Sequence, residues 1–377
     1  MMTNHIAFYQ FCSAVRRKGA LALCLAVCML GLALSASAQK PIIITFDAPG
    51  AAGTVPYSIS PTGAITGVYW DASGVNYGFL RAPDGTITTF EAPGAAGTEP
   101  WAINPMGAIT GQYWDASGMN HGFLRTPDGK FTTFDAPGAG TGPGQGTMGE
   151  AINPAGWIGG DYVDPSNVTH PLLRAPDGRI TEFAVPGASA YYGAWVDGAC
   201  GLNPAGAIAG AYIEAPSDVY LAYHGYVRSP AGIITEIDVR GAGTGAMQGT
   251  LTSGINPAGA ITGNYVDGIG VNHGFLRAPD GAITKFDVPG AGSGEYQGTV
   301  GEDINPAGTI AGYYTDGSNV SYGFLRAPDG RITTFEAPGA GTGAWQGTFP
   351  ITNNPAGAIT GYYIDADGLY HGFLRTP

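Results

Sequence analysis

The segment His273-Gly274-Phe275-Leu276-Arg277-Ala278-Pro279-Asp280-Gly281 constrains this chain more than any other, because variants of it occur seven times. The copies reach their arginine at Arg81, Arg125, Arg174, Arg228, Arg277, Arg326 and Arg375, with successive spacings of 44, 49, 54, 49, 49 and 49 residues. Such a period means one supersecondary unit written repeatedly, each copy too small to bury a core without its neighbours. Aligned, the copies read Gly-Thr, a few variable residues, Ile-Asn-Pro-Ala-Gly, Ala-Ile-Thr-Gly-x-Tyr, an Asp-x-x-Gly turn, His-Gly-Phe-Leu-Arg-Ala-Pro-Asp-Gly, and Ile-Thr-Thr-Phe-Asp-x-Pro-Gly.

Turn chemistry cuts each copy into four strands. Asn256-Pro257-Ala258-Gly259 is a tight turn, with proline presetting φ and glycine accepting a positive one. Asp115-Ala116-Ser117-Gly118 marks a second turn, and Pro279-Asp280-Gly281 a third of the hairpin kind. Between turns lie β-branched and aromatic runs such as Ile261-Thr262-Gly263-Asn264-Tyr265 and Ile332-Thr333-Thr334-Phe335. The 63 Gly and 28 Pro would also suit a disordered chain, but 44% hydrophobic residues and aromatics in register argue for packed β structure. Four antiparallel strands in roughly 40–50 residues predict a β-propeller blade, with a linear β-solenoid as the competitor. The last copy stops at Arg375-Thr376-Pro377, before a fourth strand, and Ile42-Ile43-Ile44-Thr45-Phe46-Asp47-Ala48-Pro49-Gly50 supplies one. The expectation is an all-β, seven-bladed β-propeller, one domain over 39–377, whose N-terminal strand closes the last blade.

Ile-Asn-x-x-Gly-x-Ile-x-Gly followed by His-Gly-Phe-Leu resembles the HAF-type extracellular repeats of exported bacterial proteins, over nearly all of residues 41–377. This chain has Gly where that family has Ala, and Arg where it usually has Trp. The resemblance implies export and a repeat architecture; it carries no general activity. A more local similarity, through Asp177-Gly178-Arg179-Ile180-Thr181-Glu182-Phe183, is to the streptogramin lyase type of propeller, whose Trp-Phe segment is absent.

Residues 1–38 read as a signal peptide. Arg16, Arg17 and Lys18 precede an apolar run from Gly19 to Leu34, and Ala36-Ser37-Ala38 offers a small-residue cleavage site. The run is short for a bilayer span, so no membrane insertion is expected after cleavage. Removing it takes three basic residues and no acid, moving the formal net charge from −13 to −16. Basic patches for a phosphate backbone are lacking, which excludes nucleic acid as a partner. Cys12, Cys24 and Cys28 leave with the leader, so Cys200 stays alone and no intramolecular disulfide forms. The expected product is a monomer in the periplasm or outside the cell.

Recurrence makes most reactive residues architectural. His121, His170, His224, His273 and His371 share one repeat position, filled by Tyr77 and Tyr322 elsewhere, as expected of an aromatic that packs and donates a hydrogen bond. The recurring arginines and the acids Asp47, Glu91, Asp135, Asp238, Asp287 and Glu336 suggest ion pairs between neighbouring blades, with Ala184 breaking the set. The Asp-led turns faintly suggest calcium, nearest at Asp365-Ala366-Asp367-Gly368, but the later bidentate acid is missing. No cofactor and no catalytic residue is therefore assigned.

Departures from the repeat say more. Blade four enters through Ser189-Ala190-Tyr191-Tyr192-Gly193-Ala194-Trp195-Val196-Asp197 and carries the long loop Glu214 to Tyr223. The residue three before the turn Asn (Ser60 in the first blade) also varies: Tyr57, Trp101, Glu150, Cys200, Ser253, Glu302 and Ile351. The candidate ligand site is therefore Tyr191, Tyr192, Trp195, Asp197, Glu214 and Tyr220 at the channel mouth, with Tyr57, Trp101, Glu150 and Glu302 near the axis. Aromatics among a few acids suit a glycan or protein ligand in a non-enzymatic binding module. The alternative is a carbohydrate lyase or hydrolase using Glu150, Glu302 or Asp303.

Overall fold

A computed structural model describes residues 41–214 and 222–377; the leader and Tyr220 lie outside the described residues. These residues form 28 strands and no helix. The first four-stranded antiparallel unit spans 53–90, its strands Gly53–Ile59, Ile65–Trp70, Asn76–Arg81 and Ile87–Phe90 paired in sequence order. The same meander recurs over 97–134, 146–182, 194–237, 249–286 and 298–335. These are units two to six. In unit seven, 347–376, three strands of this pattern are completed by Ile42–Phe46, paired antiparallel from Ile42↔Thr376 to Phe46↔Gly372.

Each turn residue does what its chemistry allows. The Asn256 carboxamide accepts the backbone N–H groups of Ala258 and Ala260 at 3.0 Å, closing its own turn. Its amide then donates to the Asn305 carbonyl of the next unit at 3.4 Å. The same step runs from Asn104 to Asn153, Asn203 and Asn256, then from Asn305 to Asn354, and from Asn354 to the Ser60 carbonyl. The Thr of each Gly-Thr pair is fully buried, and the hydroxyls of Thr54, Thr98, Thr147, Thr250, Thr299 and Thr348 accept an incoming loop N–H at 2.9–3.1 Å. Unit four has Ala194 there. Gly298 precedes one such Thr because its φ is 108° and an added Cβ would lie 2.0 Å from the Asn272 carbonyl.

No unit owns its core. Ile103, Ile109 and Phe123 of unit two pack with Ala64, Leu80 and Phe90 of unit one, and Leu374 of unit seven packs with Ile59, Ile65 and Phe79 of unit one. The buried Ile and Phe of each repeat therefore fill the seams between units, which is why one copy could not fold alone.

Six of the seven arginines face the neighbouring unit, and their partner is a ring and not an acid; Arg277 has Ile237 where the others have Phe. Arg81 lies over Phe46, Arg125 over Phe90, Arg174 over Phe134, Arg228 over Phe183, Arg326 over Phe286 and Arg375 over Phe335, at 4.7–5.1 Å. The expected Arg–acid pairs do not form among the described residues; Asp47, Asp135, Asp238 and Asp287 pair with histidine instead. Arg81, Arg174, Arg326 and Arg375 are buried, and a guanidinium shielded from water keeps its interaction by stacking on a ring.

Candidate functional site

The variable inner-strand residue sits on a β-bulge. In units one, two, three, five, six and seven the register shifts at Tyr57, Trp101, Glu150, Ser253, Glu302 and Ile351, leaving that residue unpaired. A bulge re-aims a side chain. Tyr57, Trp101, Ser253, Glu302 and Ile351 then line one cavity of about 260 Å³ together with Asp197 and Cys200. Tyr57 stacks on Trp101 at 4.5 Å and 19°. Its hydroxyl donates to Glu99 at 3.4 Å, and Gln112 donates to the other Glu99 oxygen at 2.8 Å. Unit four adds Asp197-Gly198-Ala199, which lays Gly198 against Trp101 of unit two.

This interior is acidic, and the residues lining the cavity include no lysine or arginine. Burial pushes Glu302 up to about 7 and Glu150 up to about 8. Burial also raises Asp161, Asp197, Asp303 and Glu99. Asp161 is raised by burial and then by the charge of the neighbouring Glu150, and it accepts the Val196 N–H at 3.0 Å. Asp303 accepts N–H groups of Ile304 and Asn353 at 2.7 and 2.8 Å and faces the Cys200 thiol. Of these acids Asp197 and Glu302 line the cavity, and Glu302, at about 7, can give up or take a proton near neutral pH.

A larger cavity, about 820 Å³, opens between units four and five. Trp195, Ile213 and Tyr223 form one wall, Leu251 and Asn272 another, and Met247, Gln248, Glu295 and Tyr296 come from the loops leading into units five and six. Trp195 and Tyr223 meet edge to face at 6.0 Å and 85°. These loops share their face with the turns between second and third strands: Tyr296 N–H donates to Gly270 at 2.9 Å, and Trp345 N–H to Asn319 at 2.7 Å.

The single site expected from sequence is thus several places. Tyr57, Trp101, Asp197 and Glu302 share the small cavity; Glu150 lies half-buried beside Asp161; Trp195 lines the large one. Glu214 borders a third cavity of about 590 Å³ with His224 and Asp238. Tyr191 and Tyr192 line none of these and stand 68% and 46% exposed on the turn closed by Gly193 N–H to Ser189. Sequence reasoning missed Tyr223, Met247 and Tyr296, although their variation among repeats was a signal. It also missed Asp161, the one acid at its repeat position.

The histidines behave as packing aromatics. His121, His170, His224, His273 and His371 stack on tyrosines at 4.9–5.1 Å, as Tyr77 and Tyr322 do at 5.2 Å. Four of them also meet an acid through Nδ1 at about 3 Å; His170 does not, because Ala184 stands where the acid would be. His224, Glu236 and Asp238 are the described residues whose ligand atoms converge enough for a metal, within 4.8 Å, but His224–Asp238 repeats the contact seen at the other histidines. Asp365 spends one carboxylate oxygen on the N–H groups of Asp367 and Leu369, at 2.9 and 2.8 Å, in the turn nearest to a calcium loop.

His371 gives a small pH effect. Burial opposes its protonation, but Asp47 and Asp365 outweigh it and raise its pKa above 6.5. A raised folded pKa stabilises below the unfolded value, and that gain is lost as pH rises through the folded one. His371→Tyr, a residue the repeat itself accepts at Tyr322, is expected to melt below the wild type at pH 6 and level with it at pH 9. A difference that does not change with pH would remove the ion pair from the account.

No protein-family profile matches the sequence, and no curated protein is similar to it. Solved structures are similar in fold. Virginiamycin B lyase from Staphylococcus aureus superimposes with a TM-score of 0.54 at 16% identity, over 90% of this chain and 100% of that one. The BP39L lectin from Burkholderia pseudomallei gives 0.51 at 10% identity, over 86% and 95%. A puromycin hydrolase gives 0.54 at 14%, over 87% of this chain and 53% of that one. The fold is of the β-propeller type. Identities this low extend to the architecture of the propeller and not to what it binds.

Proposed function

We propose that this chain is an exported, monomeric, seven-bladed propeller that binds a neutral carbohydrate in the cleft between blades four and five. The ring reading rests on strand Ile42–Phe46 completing the last blade and on the Asn354–Ser60 bond, which links blade seven to blade one. Export rests on the order of charged, apolar and small residues in 1–38.

The observation that carries the function is the 820 Å³ cleft walled by Trp195, Tyr223 and Tyr296, with Gln248, Asn272 and Glu295 at its polar points. Its volume falls within the range of small-molecule sites. A sugar offers C–H faces to rings and hydroxyls to amides and a carboxylate. The residues lining the cleft include no lysine or arginine to attract an anion. The test is glycan-array binding by the purified chain, followed by Trp195→Ala and Tyr223→Ala. Each is expected to weaken the retained glycan about tenfold or more, as truncation of a central aromatic does. Wild-type binding by both variants, folded, refutes the cleft.

A second reading, a carbohydrate lyase or hydrolase, is favoured by one observation. Glu302, raised to about 7 by burial, lies in the small cavity beside the Tyr57–Trp101 stack. Turnover of a retained glycan that disappears in Glu302→Gln would establish it.

A further inference from the structure

Resting on the carbohydrate reading, we infer that the ligand is an extended neutral polysaccharide laid across the loops that lead into blades four to seven, the cleft being one subsite of several. The argument starts from backbone conformation. Met247, Tyr296 and Trp345 occupy equivalent places in successive loops, with φ of 59°, 64° and 67°. This left-handed region disfavours any residue with a Cβ. The loop itself does not need a side chain there, because the equivalent residue leading into blade three is Gly144, φ 76°.

Nor does the core use these side chains. Met247, Tyr296 and Trp345 are 55%, 53% and 58% exposed. Each is held out by a rigid frame. The glutamine that follows (Gln248, Gln297, Gln346) accepts the N–H of Gly245, Gly294 or Gly343 at 2.8–2.9 Å through its side chain. The same glutamine accepts a third-strand N–H of the preceding blade, from Tyr223, Asn272 or Ser321, through its carbonyl at 2.7–2.9 Å. Tyr191 stands two residues before Gly193, as Met247 does before Gly249, and brings an exposed ring to the same place in blade four without the left-handed backbone or the glutamine. The loops leading into blades one and two, Ala-Pro-Gly-Ala-Ala-Gly-Thr in both, carry no counterpart.

Four consecutive blades thus present a large exposed side chain at this loop position, and in blades five to seven the left-handed backbone and the glutamine frame preset it. Preorganised side chains give up little freedom on binding. They stand singly among Gly-rich loops and do not merge into the contiguous, desolvated centre of a protein interface. A polymer of repeating units matches a repeating surface, and the net charge of −13 disfavours a polyanion.

The experiment is affinity electrophoresis of the wild-type protein in gels containing hydroxyethylcellulose, laminarin, xylan or galactomannan, with calorimetry on the trisaccharide of whichever polymer retards it. The variants are Trp345→Gly, which suits the backbone as Gly144 does, and Tyr191→Ala. Neither residue lines the cleft. Each variant is expected to bind the trisaccharide within about twofold of wild type and the polymer about tenfold more weakly, through lost multivalency. Equal polymer affinity in both variants overturns the extended site while leaving the cleft intact, provided Trp195→Ala still weakens both ligands. A wild type retarded by none of the four polymers, or one that captures a protein through Trp345, overturns this inference; the first result also overturns the cleft.

Discussion

Deleting Ile42–Asp47 is expected to lower the melting temperature by on the order of 10 °C. Five register pairs join this strand to Tyr370–Thr376. Phe46 meets Phe79 of unit one edge to face at 6.1 Å and carries the Arg81 guanidinium at 5.0 Å. Ile43 packs with Ile359 and Phe373, and Asp47 holds His371. The deletion therefore strips a hydrogen-bonded edge, uncovers two fully buried phenylalanines and leaves a guanidinium without its ring. Losses of this kind reach about 3–5 kcal/mol. Thermal melts of the wild-type and shortened chains decide the matter. An unchanged transition would mean that unit seven is stable with three strands, and the closing role would be lost.

The second large effect is a stability that falls as pH rises from about 5 to 8. Burial lifts Glu150 to about 8 and Glu302 to about 7, above the ordinary 4.5. A raised acid binds its proton more tightly in the folded state, so between the unfolded and folded pKa values the native protein holds protons that the unfolded chain has released. Stability then declines across that window and is level above it. The decline amounts to a few kcal/mol, since each tenfold gain in proton affinity on folding corresponds to about 1.36 kcal/mol. Glu150→Gln keeps a partner for Asp161 and carries no charge to bury. It is expected to match the wild type near pH 5 and to melt several degrees higher at pH 8. His371 shifts stability in the same direction but is untouched by this variant, so parallel pH profiles for the two proteins would disprove the Glu150 account.

Most of the fold was legible because turn residues act locally. Asn-Pro-Ala-Gly, Asp-x-x-Gly and Pro-Asp-Gly set strand limits through their own φ values and side-chain bonds, and nothing distant overrides them. The interchange of His with Tyr likewise announced a stacked ring. The site was less legible because its geometry depends on one extra residue per inner strand. That bulge aims Tyr57 and Glu302 into the small cavity, whereas Trp195 packs into the cleft at the next seam; sequence alone grouped them. The arginines misled for a different reason. Recurring opposite charges suggested ion pairs between neighbouring units, but for six of the seven arginines a Phe at or just after the preceding unit's last strand offered a ring in the place where the carboxylate was expected.

The side-chain amides at the turns form a belt with a direction, each donating forward to the following unit, and it is interrupted once. Ser60 accepts from Asn354 but has no amide to pass on to unit two, and that seam is held by the Tyr57–Trp101 stack and by Ile103 N–H to Ser58 at 3.3 Å. Since Ile42 and Thr376 already sit on one rung of a ladder, the order in which the units are synthesised leaves little mark on the finished assembly. A circular permutant could join those two ends and open the chain elsewhere. The interrupted seam is where such a cut would sever no amide link, so in the ring proposed above one serine marks the place where the chain is most easily given a new beginning.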